Sequence, residues 1–227
     1  MKSLTDIFNK HDTDKCTNFH NYARQYENLL KDYRDKPVKY LEIGVYNGGS
    51  LKAFREVFEK SNCVLGIDIE PSCKQYENVE NHTFVEIGDA SNADVVKEIT
   101  EKHGTFDIIL DDGSHNNVDV INAFELWFPL LNDNGLYIVE DTHIFEHPSY
   151  FIEGCENQLE YFFKYVKFLN QPRLTDLCSD PFKLEKKTNN VFEYSIDKIE
   201  YGCGHIAIHK KIRKHWIQSC VCDCSSI

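Results

Sequence analysis

Six side chains able to do chemistry sit where three apolar runs end. They are Glu42 in Tyr40-Leu-Glu-Ile43, Asp111, Asp112 and His115 in Ile109-Leu-Asp-Asp-Gly-Ser-His115, and Glu140 and Asp141 in Ile138-Val-Glu-Asp141. If the runs are parallel strands, their carboxyl ends open on one crevice, which is where an open α/β sheet binds its ligands. Carboxylates and an imidazole gathered there are costly unless a ligand or a cation uses them.

The first run leads into Gly44, Gly48, Gly49 and Ser50. Glycine lets a backbone approach a ligand closely. The spacing is neither the dinucleotide G-x-G-x-x-G nor a P-loop, so it argues against phosphate binding. Asp68 closes the next run, Val64-Leu-Gly-Ile-Asp68, where a carboxylate can accept from ribose hydroxyls. Asp89 ends a third run, where an adenine amino group could donate to it. A nucleoside without a phosphate fits this set better than NAD or ATP.

The elements that must position these residues alternate. The spacing predicts a helix over 17–33 and strands at 38–43, 64–69, 83–87, 106–110 and 135–139. Helices at 50–58, 93–101 and 118–131, with a weaker helical turn from Pro71, separate the strands. This alternation predicts βαβ units and a parallel sheet, and the unbroken apolar stretch Ile108-Ile-Leu110 fits a strand covered on both faces. Residues 142–155 read as a loop and 159–169 as a helix, followed by a polar stretch with Pro172 and Pro181. Strands at 191–199 and 205–209 then form an antiparallel hairpin that closes the sheet edge, and the last dozen residues read as a disordered tail.

Composition bounds the function. A chain of 227 residues, 41% hydrophobic, can bury one substantial core, so one domain is expected. A formal charge of -12 argues against a nucleic-acid surface. The short basic run Lys210-Lys-Ile-Arg-Lys214 reads as a solvated strand end. No stretch is long and apolar enough to span a bilayer, and the N-terminus lacks the apolar core of a signal peptide. The nine cysteines are therefore expected to be reduced thiols in a cytoplasmic setting.

The ordered set Glu42-Ile-Gly-x-x-x-Gly48, Gly66-Ile-Asp68, Gly88-Asp89, Asp111-Asp-Gly-Ser-His115 and Val139-Glu-Asp-Thr142 resembles the class I S-adenosylmethionine-dependent methyltransferases. More narrowly, it resembles the magnesium-dependent sugar O-methyltransferases of macrolide biosynthesis, over about residues 5–210. Asp12-Thr-Asp-Lys15, with His20 and Tyr22, is similar to that family's N-terminal segment over cofactor and substrate. The resemblance implies a Rossmann-like α/β sheet of seven strands in the order 3-2-1-4-5-7-6. It implies an N-terminal helical lid at 1–36, a methyltransferase domain at 37–211 and a cysteine-containing tail at 212–227. It places Glu42, Gly44 and Ser50 on the methionine part of the cofactor, Asp68 on the ribose and Asp89 on the adenine, with Gly48 and Asp111 also on the cofactor side. Asp112, Glu140 and Asp141 match the Mg²⁺ ligands, and His115, with Asp112, the catalytic machinery, His115 being the general base. In that strand order the fourth and fifth strands are about 4.8 Å apart, which brings the three carboxylates together.

The expected activity is O-methylation of a hydroxyl on a sugar or glycosylated small molecule, with S-adenosyl-L-methionine and Mg²⁺. Neither nucleic acid nor membrane is an expected partner, and a homo-oligomer is possible by analogy. The alternatives are a catechol-type enzyme acting on an aromatic diol, and a non-catalytic scaffold that keeps the fold. Plainer duties stand beside these roles. Asp111 or Asp112 could cap the following helix, the glycines could serve a tight turn, and Lys15 and His20 could be solvated. Cys220-x-Cys222-x-Cys224 lacks the pairing of a structural zinc site, and His143, His147, His205 and His209 are left unassigned.

Overall fold

The computed structural model describes residues 2–170 and 190–212. Strands β1 (Lys39–Ile43), β2 (Cys63–Asp68), β3 (Thr83–Ile87), β4 (Phe106–Asp111), β5 (Leu131–Glu140), β6 (Ile196–Gly202) and β7 (His205–Lys210) form one sheet in the order β3-β2-β1-β4-β5-β7-β6. β1 to β5 pair in parallel, while β7 runs antiparallel to β5 and β6 antiparallel to β7. Strand order reverses at β1 and β4, so the crevice lies over their carboxyl ends.

Helices α1 (Leu4–Lys10), α2 (Ala23–Leu30) and α3 (Gly49–Val57) cover one face. Helices α4 (Ala93–His103), α5 (Asn117–Trp127) and α6 (Gln158–Asn170), with the short α7 (Val191–Ser195), cover the other. Alternation along each strand divides the core: Tyr40, Val64, Ile108 and Leu136 pack with Phe8, Tyr26 and Phe54, whereas Leu41, Leu65, Ile109 and Tyr137 pack with Phe124, Trp127 and Tyr161. Glu42 is buried, with no hydrogen-bond partner for its carboxylate among the described residues.

Four local expectations need correction. The helix expected over 17–33 is only Ala23–Leu30, because Asn21 takes a left-handed φ of 53° that no helix can continue through. Residues 191–195 are helical rather than extended. Asn190 caps them by accepting from the Phe192 N–H, and Phe192 stacks against Phe128 and packs on Phe124 and Tyr165. Neither Asp111 nor Asp112 caps α5: Asn116 does, accepting from the N–H groups of Val118 and Asp119 at 3.1 and 2.9 Å. Lys210 is not a solvated strand end but 4% exposed, with its ammonium donating to the carbonyls of Phe128, Pro129 and Leu131. The tail cysteines and the Pro172–Pro181 stretch lie outside the described residues.

Candidate active site

The turn after β1 is tight because other parts of the chain press on it. Gly44 has φ 93°, and a Cβ there would collide with the backbone carbonyl of Asp112 at the end of β4. A Cβ at Gly49 would collide with the carbonyl of Asp12, so the N-terminal segment crosses directly over the start of α3. The glycines therefore serve packing within the chain before they serve any ligand. Gly48 lies against the ring of Tyr76 in the same way.

Asp68 organises this turn. Its Oδ2 accepts from the N–H groups of Val45 (2.8 Å) and Tyr46 (2.9 Å), and its Oδ1 from Glu70 (2.9 Å). Partial burial would raise its carboxyl, but these three backbone donors hold it below the usual range. Asp89 is exposed, and its Oδ1 accepts from the backbone and hydroxyl of Ser91 at 2.8 and 2.7 Å. Both carboxylates stand at the strand ends foreseen for them and keep lone pairs beyond those already used.

Glu42 is fully buried with neither oxygen hydrogen-bonded among the described residues. Burial pushes its carboxyl up to about 8, against the opposing pull of Lys15 and Ser50. The Ser50 hydroxyl also favours the anion, yet it stands outside hydrogen-bond geometry and is itself unpaired. Buried polar groups are ordinarily satisfied, and two orphans side by side mark a place where something else belongs. Asp111 is turned toward the other layer, with the Tyr137 hydroxyl donating to it at 3.3 Å, and burial pushes its carboxyl up to about 7.

At the ends of β4 and β5 the arrangement is ionic. The Lys15 side chain is completely buried, its ammonium 2.5 Å from Oδ2 of Asp112 and 2.7 Å from Oε2 of Glu140. The other oxygen of Glu140 accepts from the Tyr26 hydroxyl at 2.5 Å. Burial alone would strip the proton from Lys15, but Asp112, Glu140 and Asp14 reverse this and raise its pKa well above the lysine range. Burial also drives Glu140 upward. We describe the pair as ionised, because the ammonium answers two carboxylates at once and Tyr26 adds a further donor. The solvated role expected for Lys15 is thus overturned.

His115, in a left-handed turn with φ 60°, stands with its Nε2 3.8 Å from Oδ2 of Asp141, and the Tyr22 hydroxyl donates to Oδ1 of the same carboxylate at 2.9 Å. One ligand atom each from Asp112, His115 and Asp141 lies within 4.8 Å of the others. Of the three expected metal ligands, Asp112 and Asp141 belong to this group, whereas Glu140 is committed to Lys15 and Tyr26. Lys15, Tyr22 and Tyr26 were not foreseen as part of the cluster. The only signal for them was the N-terminal resemblance around Lys15, His20 and Tyr22.

Residues 41–142 match a family described as a methyltransferase domain. The chain is 32% identical over 145 residues to demethylmacrocin O-methyltransferase of Streptomyces fradiae, a match spanning 61% of this chain and 36% of that protein. It is 34% identical over 157 residues to the 8-demethyl-8-alpha-L-rhamnosyl tetracenomycin-C 2'-O-methyltransferase of Streptomyces olivaceus, spanning 66% of this chain and 40% of that one. These matches thus span well under half the length of either curated relative. In fold it is similar to MycE methyltransferase from the mycinamycin biosynthetic pathway, solved in complex with Mg and SAH. The TM-score is 0.79 at 24% identity, covering 93% of this chain and 55% of that one. The sheet order and the resemblance to class I methyltransferases drawn from the sequence are both borne out.

Proposed function

We propose that this chain, which carries a methyltransferase domain over residues 41–142, transfers a methyl group from S-adenosylmethionine to a hydroxyl of a sugar or glycosylated small molecule. The observation that carries this reading is that an imidazole, two carboxylates and an orphaned buried carboxylate stand at the carboxyl ends of the neighbouring strands β1, β4 and β5. The matches to sugar O-methyltransferases support the acceptor class.

Both expected groups fit what the chain offers. The unpaired Glu42 and Ser50 suit the methionyl part of the cofactor, whose ammonium would satisfy a buried carboxylate, and Asp68 keeps acceptor capacity for ribose hydroxyls. Asp112 and Asp141 are oxygen donors of the kind Mg²⁺ prefers, and Glu140 would join them only on giving up Lys15 or Tyr26. Mg²⁺, when bound, lowers the pKa of an acceptor hydroxyl that it coordinates. His115 would take the proton that the hydroxyl releases as its oxygen gains the methyl carbon and the carbon–sulfur bond of the cofactor breaks, leaving S-adenosylhomocysteine. Lys15 and Tyr22 would hold the N-terminal segment over the reacting groups and keep water out.

The test is a calorimetric titration of S-adenosylhomocysteine, with and without Mg²⁺, into the full chain and into His115→Ala. Binding in both, with methylation of glycosides falling about 10²- to 10⁴-fold in the variant, is the expected result. Absence of binding to the full chain, both with and without Mg²⁺, would sink the methyltransferase reading in favour of a scaffold. Full turnover without His115 would remove the assigned base.

A further inference from the structure

Asp141 has a second side that methyl transfer does not use. While Oδ2 faces His115, Oδ1 faces the N-terminal segment, 4.0 Å from Nε2 of His20. His143 follows two residues later in the turn Thr142–Ile144, and its ring lies 5.7 Å from that of His20. One ligand atom each from His20, Asp141 and His143 lies within 4.8 Å of the others.

The carboxylate there is short of compensation. Asp141 is 8% exposed, and among the described residues Tyr22 is the only hydrogen-bond donor to its carboxylate. Lys15 is spent on Asp14, Asp112 and Glu140. The imidazoles of His20 and His115 stand on opposite sides of Asp141, both beyond hydrogen-bond reach. A carboxylate taken out of water needs donors or a cation. Two imidazoles and one carboxylate make a donor set for a borderline transition cation, whereas Mg²⁺ prefers oxygen alone. The Tyr22 hydroxyl on Oδ1 is the outer contact that orients a ligating carboxylate.

We infer that His20, Asp141 and His143 form a second cation site, taking a divalent transition metal such as Zn²⁺ and sharing Asp141 with the Asp112–His115 group. The site joins the N-terminal segment to the turn after β5, so a bound ion fastens that segment over the crevice. The inference does not depend on methyl transfer.

Zn²⁺ is titrated calorimetrically into the metal-free full chain and into His20→Ala, His143→Ala and His115→Ala, with Co²⁺ absorption as a second probe. Co²⁺ is chosen because ligation by Cys220, Cys222 or Cys224 would show a thiolate charge-transfer band that imidazole ligation lacks. We expect Zn²⁺ binding that weakens at least about tenfold in His20→Ala and in His143→Ala, and one site kept in His115→Ala. The thermal midpoint should rise with Zn²⁺ in the parent and not in His143→Ala. No Zn²⁺ binding, or binding unchanged in both His20→Ala and His143→Ala, overturns the site. S-adenosylhomocysteine titrated into the same samples reports on the methyltransferase reading separately. Failure there with the Zn²⁺ result intact leaves this inference standing.

Discussion

The two halves of the crevice are built by opposite means. Over β2 and β3 the carboxylates are held by backbone: Asp68 by three N–H groups from its own and the neighbouring turn, Asp89 by Ser91 two residues on. Over β4 and β5 they are held by side chains from the far N-terminus, with Lys15, Tyr22 and Tyr26 reaching Asp112, Asp141 and Glu140. The first half is made of local contacts and partly exposed. The second is buried, charged and assembled from distant parts of the chain. On the function proposed above, the cofactor half is preformed while the acceptor half depends on one segment being docked.

The largest effect should come from Lys15→Met, which leaves Asp112 and Glu140 together without their cation. Breaking a buried pair in this way costs about 3–5 kcal/mol. Urea denaturation should show the loss, and an added Glu140→Gln should recover part of it. An unchanged midpoint would mean that the acidic half does not need its ammonium.

Asp68→Asn should cost less, about 1.5–3 kcal/mol, since it removes a charged acceptor from backbone donors but leaves one carbonyl. The same measurement serves. S-adenosylhomocysteine affinity should fall as well, because the β1 turn loses its brace. A loss as large as that of Lys15→Met would erase the contrast between the halves.

A third effect has the opposite sign. Glu42 is raised by burial to about 8, so between about pH 5 and 8 the folded chain keeps a proton that the unfolded chain has released. Stability of the ligand-free protein should therefore fall as pH rises through that window. Glu42→Gln should match the parent near pH 5 and melt higher near pH 8. A parent curve that is flat across the window would mean that Glu42 is already satisfied.

The sequence made the first half legible because its contacts are near in the chain. Apolar runs located β1, β2 and β3, and acidic residues at the strand ends located Asp68 and Asp89. The second half resisted because a lysine in a polar stretch carries no mark of burial: Lys15 meets Asp112 97 residues later, and only the folded sheet brings them together. The same blindness applied to Lys210, whose carbonyl partners lie about 80 residues away. At α7 the error was local. Val191 and Phe192 have β propensity, but the Asn190 cap and the packing of Phe192 on Phe124 and Phe128 prevailed.

The separations between partners also set an order in time. Lys15 waits 97 residues for Asp112, Tyr26 waits 114 for Glu140 and Tyr22 waits 119 for Asp141. Synthesis delivers the N-terminal segment first, yet closing loops of this length carries an entropic cost before any contact rewards it. Residues 12–26, though synthesised before β4 and β5, should therefore be among the last to settle. During refolding, the central sheet should gain hydrogen-exchange protection before residues 12–26 do.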